Sequence, residues 1–221
     1  MTVYVERNIN MIRLDKFLSE MGLGTRSEVK KLIKTGQIAI NGTVAAKPET
    51  KVDTDADEVS VNGRIVKYQR YEYYLFNKPS GCVSATSDNV HDTVMDYITD
   101  AVHDDLFPVG RLDIDTEGLL LITNDGALSH ELLSPSKHVA KTYYARIDGE
   151  VTRDDIIRFK EGIDIGEERP TKPAELVIKK SGSVSEIELT ITEGKFHQVK
   201  RMFSACGKTV TALHRESIGA L

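Results

Sequence analysis

The apolar residues near the start of the chain recur at the spacing of an amphipathic helix. They stand at i, i+3, i+4 and i+7, namely Leu14, Phe17, Leu18 and Met21. Residues at this spacing share one face of a helix, so we predict a helix over residues 13–21. Glycines at positions 22 and 24 end the pattern.

A second helical pattern follows Thr25. Glu28 stands three residues later, which is the signature of a capping box at a helix N-terminus. The apolar residues behind it are Val29, Leu32 and Ile33. We therefore predict a second short helix with these residues facing inward and its basic residues largely on the outward face.

Two segments have the alternation and the turn of a β-hairpin. Residues 38–44 and 59–66 each place an Asn-Gly pair between apolar residues. Asn-Gly is the preferred sequence of the tight turns that join antiparallel strands. With the two helices, these hairpins predict a small α/β module over residues 11–66.

The chain changes character after the polar residues 67–71, which we predict to be a linker. The larger part, residues 72–221, contains several apolar or alternating segments of strand length: 73–76, 119–122, 184–191 and 209–213. Strands dominate and no regular alternation with helices is visible. The expected fold class is therefore α+β, with a mixed, mostly antiparallel sheet in the larger domain.

The composition is that of an ordinary globular protein of 221 residues, with 40% hydrophobic and 29% charged residues. No apolar run approaches the roughly 18 residues of a membrane span, and residues 1–7 lack the apolar region of a signal peptide. The two cysteines lack the spacing of a redox or metal motif, which favours a reducing cytoplasm. We expect a cytoplasmic protein without a membrane partner.

The charges are unevenly distributed along the chain. The formal net charge is -5, yet residues 13–51 contain eight Lys/Arg against four acids, and residues 194–215 contain five and no acid. A polyanion responds to the local field more than to the net charge. The two segments favour nucleic-acid binding, with a solvated surface or a packing module as the alternative.

Asp113 and Asp115 lie beside Arg111, immediately before the most apolar run of the chain. A carboxylate beside a core is costly unless it is paired or used. Such a group serves as nucleophile, base or metal ligand, or only caps backbone N–H groups. The histidines and cysteines show no metal-binding spacing and there is no phosphate-binding glycine motif, so no metal and no cofactor are expected.

Two later segments combine cations with aromatic rings. One is Lys141-Thr142-Tyr143, and the other is residues 193–202, which include Phe196 and Lys200. Aromatic rings beside cations are suited to stacking on bases and binding phosphates. The alternatives are a core aromatic for Tyr143 and a surface charge for Lys200.

Four motifs in order and in register resemble the bacterial ribosomal pseudouridine synthases of the RsuA type. They are Asn77-Lys78-Pro79-Ser80-Gly81, Gly110-Arg111-Leu112-Asp113 with Thr116 and Gly118-Leu119, Lys141-Thr142-Tyr143, and His197-Gln198-Val199-Lys200-Arg201-Met202-Phe203. The front of the chain, from Arg13 to Gly42, resembles an S4 RNA-binding domain. The resemblance covers nearly the whole chain after about Met11, and relatives of this type continue beyond the position of Leu221.

The resemblance implies roles for individual residues. Asp113 is the expected catalytic aspartate, Tyr143 the ring that packs on the target uracil, and Lys200 the basic partner of Asp113. Asp115 is expected to be a bystander. RNA contacts are expected from Arg111, Lys78, His197, Gln198 and Arg201 in the larger domain and from Arg13, Arg26, Lys30, Lys31 and Lys34 in the small module.

The resemblance also implies a substrate. The lysine at position 200 and the sequence of the motif around it resemble those of the branch that modifies small-subunit rRNA. The expected activity is isomerisation of one uridine to pseudouridine by a monomer, in a partly assembled small subunit. The alternatives are a large-subunit rRNA synthase of the same superfamily and a non-catalytic S4-type assembly protein.

Overall fold

The structure, a computed structural model, describes residues 10–221. The segment before Met11, which the resemblance leaves unmatched, therefore lies outside the described residues except for Asn10. In the described part, no helix has both the length and the apolar character needed to cross a membrane.

The described chain forms two compact units. The first runs to Glu72 and also includes Asp100–Asp105, and the second contains the rest of the chain. The backbone N–H groups of Val102 and His103 donate to the Glu72 carboxylate at 3.1 and 2.9 Å. These long-range bonds explain why this short segment, which the sequence pattern places in the larger domain, belongs to the first unit.

The first unit packs two helices against short strands. Its elements in chain order are β1 (Met11–Arg13), α1 (Leu14–Glu20), α2 (Arg26–Lys34), β2 (Ile38–Ile40), β3 (Thr43–Val44), β4 (Lys51–Asp53), β5 (Val59–Val61) and β6 (Arg64–Val66). Strands β3-β2-β5-β6 form an antiparallel sheet, while β1 pairs with β4. The predicted helices and hairpins are confirmed, whereas β1 and β4 had no visible signal because each has three residues and pairs far along the chain.

Local chemistry fixes these elements. Glu28 accepts a hydrogen bond from the Thr25 backbone at 2.8 Å, and the Thr25 hydroxyl accepts from the Glu28 backbone, so the predicted capping box is present. Asn41 and Asn62 have φ near 50°, the left-handed conformation that the tight hairpin turn requires. The four apolar residues predicted for the first helix are all buried in the core of the unit.

The second unit is built on one large sheet. Its elements are β7 (Tyr73–Lys78), a 3₁₀ helix (Val94–Tyr97), β8 (Phe107–Pro108), β9 (Glu117–Thr123), α3 (Gly126–Leu133), β10 (Lys141–Asp148), α4 (Arg153–Glu161), β11 (Glu175–Lys180), β12 (Val184–Ile191), α5 (Gln198–Ser204) and β13 (Thr209–Ile218). The sheet order is β11-β12-β10-β13-β9-β7, with β8 added to β9. All pairs are antiparallel except β13 with β9. The expected α+β class with a mostly antiparallel sheet is confirmed.

The parallel contact between β9 and β13 depends on Gly118. It pairs with Arg215, and its φ of +104° lies outside the region that other residues adopt readily. A Cβ at this position would lie 2.6 Å from the Arg215 backbone nitrogen and closer still to its carbonyl oxygen. Only glycine lets the two strands meet here.

We predict that Gly118→Ala lowers the free energy of unfolding by about 3 kcal/mol or more, because both the backbone conformation and the strand contact resist a side chain. Urea unfolding measures the effect. Gly126→Ala is the control, since its φ is not positive and a Cβ there meets nothing within 4 Å. Equal stability of the two variants would contradict the close-contact explanation.

Candidate active site

The loop that carries Asp113 connects β8 to β9, and the Lys78 side chain holds it through hydrogen bonds to its backbone. The Lys78 side chain is only 1% exposed. Its ammonium donates to the carbonyl oxygens of Asp113, Ile114 and Thr116 at 3.1, 3.3 and 2.9 Å, and to that of Pro79 at 3.0 Å. Burial lowers the pKa of this lysine.

The segment after Pro79 adds further anchors for the same loop. The Ser84 hydroxyl accepts a hydrogen bond from the Leu112 backbone N–H and lies 3.0 Å from the Leu112 carbonyl oxygen. The Gly81 N–H donates to the carbonyl of Ile114 at 2.7 Å. The backbone on both sides of Asp113 is therefore held by β7 and the turn that follows it.

Lys200, in α5, lies between two aspartates of this loop. Its ammonium is 2.9 Å from Asp113 Oδ2 and 2.5 Å from Asp115 Oδ1. Burial opposes its charge, but the hydrogen bonds to both carboxylates outweigh burial and raise its pKa. The bond to Lys200 lowers the pKa of Asp115. Asp115 is thus a second partner of Lys200, a contact that the resemblance did not indicate.

His197 approaches the other oxygen of Asp113. Its Nε2 is 3.5 Å from Asp113 Oδ1. The residue precedes α5 in the left-handed conformation, with φ of 47°, which is uncommon outside glycine. Its ring stacks on Phe196 with centroids 3.8 Å apart. Phe196 is 74% exposed, so it presents an aromatic face to solvent beside the aspartate.

Tyr143 lies on the adjoining face of the sheet. It is 8% exposed, and burial raises the pKa of its hydroxyl while the nearby Arg215 opposes that shift. Strand register places Tyr143 directly opposite Arg215 of β13. Lys141, two residues earlier in β10, points to the same side of the sheet.

These side chains line one cavity of about 580 Å³ in the second unit. Its walls include Asp113, Tyr143, Lys200, His197 and Phe196. A cavity of this volume falls in the range that accommodates a small organic molecule. A carboxylate at its wall, paired with a cation and facing a buried aromatic ring, can attack or electrostatically stabilise a carbon centre of a bound nucleoside.

Comparison with known proteins identifies the architecture. The family described as RNA pseudouridylate synthase matches residues 72–205, and the S4 domain family matches residues 12–59. The chain belongs to the RNA pseudouridylate synthase family. The resemblance found in the motifs is confirmed.

Full-length relatives agree with this assignment. An RNA pseudouridine synthase of Bacillus subtilis is 47% identical over 94% of this chain and 88% of its own length. The ribosomal small subunit pseudouridine synthase A of Haemophilus influenzae is 39% identical, covering 94% and 89% of the two chains. The ribosomal large subunit pseudouridine synthase B of Bacillus subtilis is 37% identical, covering 96% and 87%.

A solved structure shares the fold of this synthase. The crystal structure of a pseudouridylate synthase superposes with a TM-score of 0.65 at 37% identity, covering 95% of this chain and 90% of the other. Both units therefore have a counterpart in one solved chain. The synthase is an isomerase that acts on RNA.

Three residues expected to contact RNA in the synthase are instead committed within the protein. Lys78 is buried beneath the Asp113 loop, where it binds four carbonyl oxygens. The Gln198 amide is 4% exposed and bonds to Glu193 and to the Lys195 backbone. The Arg201 guanidinium bonds to Glu167 at 2.7 Å and to backbone carbonyls. Motif position alone could not separate these from residues that face RNA, because it does not show which contacts their side chains make within the protein.

The other expected RNA contacts remain accessible. Arg111 is exposed and lines the cavity. In α2 the exposed cations are Arg26, Lys30, Lys31 and Lys34. Arg13 pairs with Asp15 through two hydrogen bonds of 3.0 and 2.9 Å, which lowers the pKa of that carboxyl. Its charge is therefore partly neutralised.

The sequence analysis gave no site role to three residues that line the cavity, namely Arg215, Thr116 and Lys141. The alternation of Lys141 with Tyr143 is a signal that both share one face of a strand. Arg215 carries no such signal, since its position depends on the register between β10 and β13, which includes two irregular shifts.

We predict that Lys78→Met reduces the rate of uridine isomerisation by this synthase and lowers the free energy of unfolding by about 2 to 4 kcal/mol. Methionine retains the length of the side chain but removes the ammonium that donates to four backbone carbonyl oxygens, of which those of Asp113 and Ile114 keep a backbone N–H donor. Single-turnover kinetics and urea unfolding measure the two effects. Lys179→Met, which removes an exposed partner of Glu188, is the control and is expected to cost about 1 kcal/mol or less. Wild-type kinetics in Lys78→Met would contradict the anchoring role.

Proposed function

We propose that this synthase converts one uridine of small-subunit rRNA to pseudouridine, with Asp113 as catalytic carboxylate, Tyr143 packing on the uracil and Lys200 pairing with Asp113. The observation that carries the proposal is the Asp113–Lys200 ion pair in the wall of the cavity that Tyr143 lines. The remaining lining groups are compatible with a single nucleotide.

The reaction suits a site made of side chains alone. It cleaves the glycosidic bond, turns the uracil and rejoins it through C5, with no net redox change and no group donor. A carboxylate can form a covalent bond to the sugar, as in many glycosidases, or stabilise a cationic sugar. Asp113 is fitted for either role because its backbone is held by Lys78 and Ser84, which fixes where the carboxylate meets the sugar.

Tyr143 supplies the surface for the base. A target uridine in folded RNA has to leave its stack to reach the cavity, and aromatic rings compensate the lost stacking. Tyr143 is held between β12 and β13, so its ring does not need to be ordered when the base enters.

Lys200 positions the Asp113 carboxylate through the ion pair of 2.9 Å. It also binds Asp115, and this second bond holds the ammonium in place while Asp113 changes its interactions during catalysis. Asp115 is more exposed than Asp113, with 64% of its side chain accessible against 26%. We therefore assign the reaction to Asp113 and a supporting position to Asp115.

The relatives favour small-subunit rRNA as the substrate class. The Haemophilus influenzae relative is named as a small-subunit enzyme, and the lysine at position 200 agrees with that branch. The large-subunit relative makes large-subunit rRNA the specific alternative. The proposal includes a partly assembled small subunit as substrate, a monomeric enzyme and a cytoplasmic location.

We predict that the wild-type protein produces one new pseudouridine in small-subunit rRNA and that Asp113→Asn abolishes it, with a rate loss of about 10⁴-fold or more. Site-resolved pseudouridine mapping of both rRNAs, naked and within subunit particles, is the measurement. RNA affinity of Asp113→Asn is expected to stay near that of the wild type.

Asp115→Asn is the matched control, because it removes the other carboxylate bound to Lys200. We expect it to retain activity within about tenfold of the wild type. Modification of large-subunit rRNA alone would replace the substrate assignment. Full activity of Asp113→Asn would contradict the catalytic assignment, and no modification in any substrate would favour the non-catalytic assembly protein.

We further predict that the double variant Lys30→Glu, Lys31→Glu binds RNA more weakly and with a smaller dependence on salt. Both lysines are exposed on α2, and losing two phosphate contacts lowers the slope of log K against log salt by about 1.5 to 2. Filter binding over a series of salt concentrations measures this slope. The control is Lys179→Glu, Lys180→Glu, which makes the same charge change on β11. Equal slopes for the two double variants would contradict the prediction and would mean that Lys30 and Lys31 are solvated surface residues without a role in RNA binding.

A further inference from the structure

Arg215 is a buried cation with part of its hydrogen-bonding capacity unused. It is 3% exposed, and its Nε donates to the Leu119 carbonyl oxygen at 2.7 Å. Among residues 10–221, its Nη2 has no hydrogen-bond partner and no carboxylate pairs with the guanidinium, although Tyr143 lies close enough for a hydrogen bond to Arg215 to oppose the rise in the tyrosine pKa. A guanidinium has five N–H donors, and a buried donor without a partner costs about 1 to 3 kcal/mol.

The other orphaned polar atom lies at the same cavity. Within the described residues, the buried side-chain atoms without a hydrogen-bond partner are Arg215 Nη2 and Thr116 Oγ1, and both residues line the cavity that contains Asp113. Unsatisfied buried groups are rare in folded proteins. Their concentration at one cavity indicates that a ligand there, or a water that it replaces, completes the hydrogen bonds.

Lys141 contributes a second cation without an acidic partner among the described residues. It is 8% exposed, and its ammonium donates to the Val139 carbonyl oxygen at 2.9 Å. Burial and the neighbouring Arg215 both lower its pKa. Lys200, by contrast, already shares its charge between two carboxylates. The buried cations of the cavity that lack an acidic partner are thus Lys141 and Arg215, whereas Arg111 is exposed at its wall.

The strand register places these two cations on either side of Tyr143. Tyr143 pairs directly with Arg215, and Lys141 lies two residues away on the same face of β10. A ring that packs on Tyr143 therefore lies beside both cations. The phosphates of an RNA strand lie on its outside, so such deeply buried cations fit the polar edge of the base better than the backbone.

We propose that Arg215, assisted by Lys141, is a catalytic residue that binds the carbonyl oxygens of the uracil ring and stabilises the negative charge on the base after it leaves the sugar. This inference rests on the proposed function, because it takes Tyr143 as the surface that holds the uracil. The site would accept a uracil anion or a neutral uracil through the same oxygens.

The charge balance of the reaction explains why such donors are needed. When the bond from the sugar C1′ to N1 breaks, its electron pair stays on the base and spreads to the carbonyl oxygens. The base then turns, C5 forms the new bond to C1′, and the proton lost from C5 replaces the missing bond at N1. Donors fixed at the oxygens by the surrounding structure stabilise the negative charge of the detached base.

The test separates charge at position 215 from packing. Arg215→Gln keeps an N–H donor for the Leu119 carbonyl but removes the positive charge, whereas Arg215→Lys keeps the charge. We expect Arg215→Gln to lower the single-turnover rate by about a hundredfold, the usual cost of losing one donor to a developing anion, and Arg215→Lys to stay within about tenfold of the wild type. Arg158→Gln is the control, because that arginine also binds a backbone carbonyl, of Ala205, and does not line the cavity.

A second substrate identifies the step that is affected. RNA with 5-fluorouridine at the target position carries a more acidic base, which leaves the sugar as an anion more easily. We expect Arg215→Gln to slow consumption of this substrate at least tenfold less than it slows reaction of the uridine substrate. Lys141→Gln is expected to show the same difference with a smaller loss.

The results decide the proposal in either direction. Equal losses on both substrates, equal losses in the glutamine and lysine variants, or a wild-type rate in Arg215→Gln would overturn it. If thermal melting shows that Arg215→Gln does not fold, the comparison of the two substrates in Lys141→Gln decides. If the wild-type protein modifies a different RNA, only the proposed substrate has to be replaced. The same variants are then compared on that RNA.

Discussion

The buried ammonium of Lys78 is the interaction on which the geometry of the active site depends. A lysine is kept from water only where other groups replace its hydration, and here four backbone carbonyls do so. Three of them belong to the loop between Asp113 and Thr116. The desolvation of the charge and the order of the loop are therefore coupled, because neither is stable without the other. A hydrophobic residue at position 78 would bury equally well but would not organise the loop.

The sequence predicted those features that local chemistry determines. The capping box at Thr25, the Asn-Gly turns and the apolar positions of α1 are each set by residues within a few positions of one another. Motif order located Asp113, Tyr143 and Lys200, which the structure brings to one cavity. It did not distinguish Lys78, whose partners are backbone carbonyls, and Arg201, which binds Glu167 and backbone carbonyls, from cations that face RNA. Such partners depend on strand register and loop conformation, which local patterns do not encode.

The distribution of charge reconciles an acidic protein with an RNA substrate. Surface cations of the second unit are often neutralised, as Glu167 does for both Lys195 and Arg201. These pairs lower the pKa of Glu167 and hold the chain around the cavity without adding net attraction for phosphate. Unpaired positive charge is left at α2 and inside the cavity. The charge on α2 can attract the RNA backbone, whereas the charge inside the cavity can act only on a group that enters the cavity.

Gly118 links the two halves of the cavity. On its N-terminal side the chain passes through the Asp113 loop, and across the parallel contact it meets the backbone of Arg215. The Arg215 side chain then returns to the Leu119 carbonyl, so the same three residues fix both the strand contact and the direction of the guanidinium. A side chain at position 118 would separate β9 from β13 and move Asp113 relative to Arg215. The roles proposed for Asp113 at the sugar and Arg215 at the departing base require a fixed separation of the two groups, and this glycine maintains the strand contact on which that separation depends.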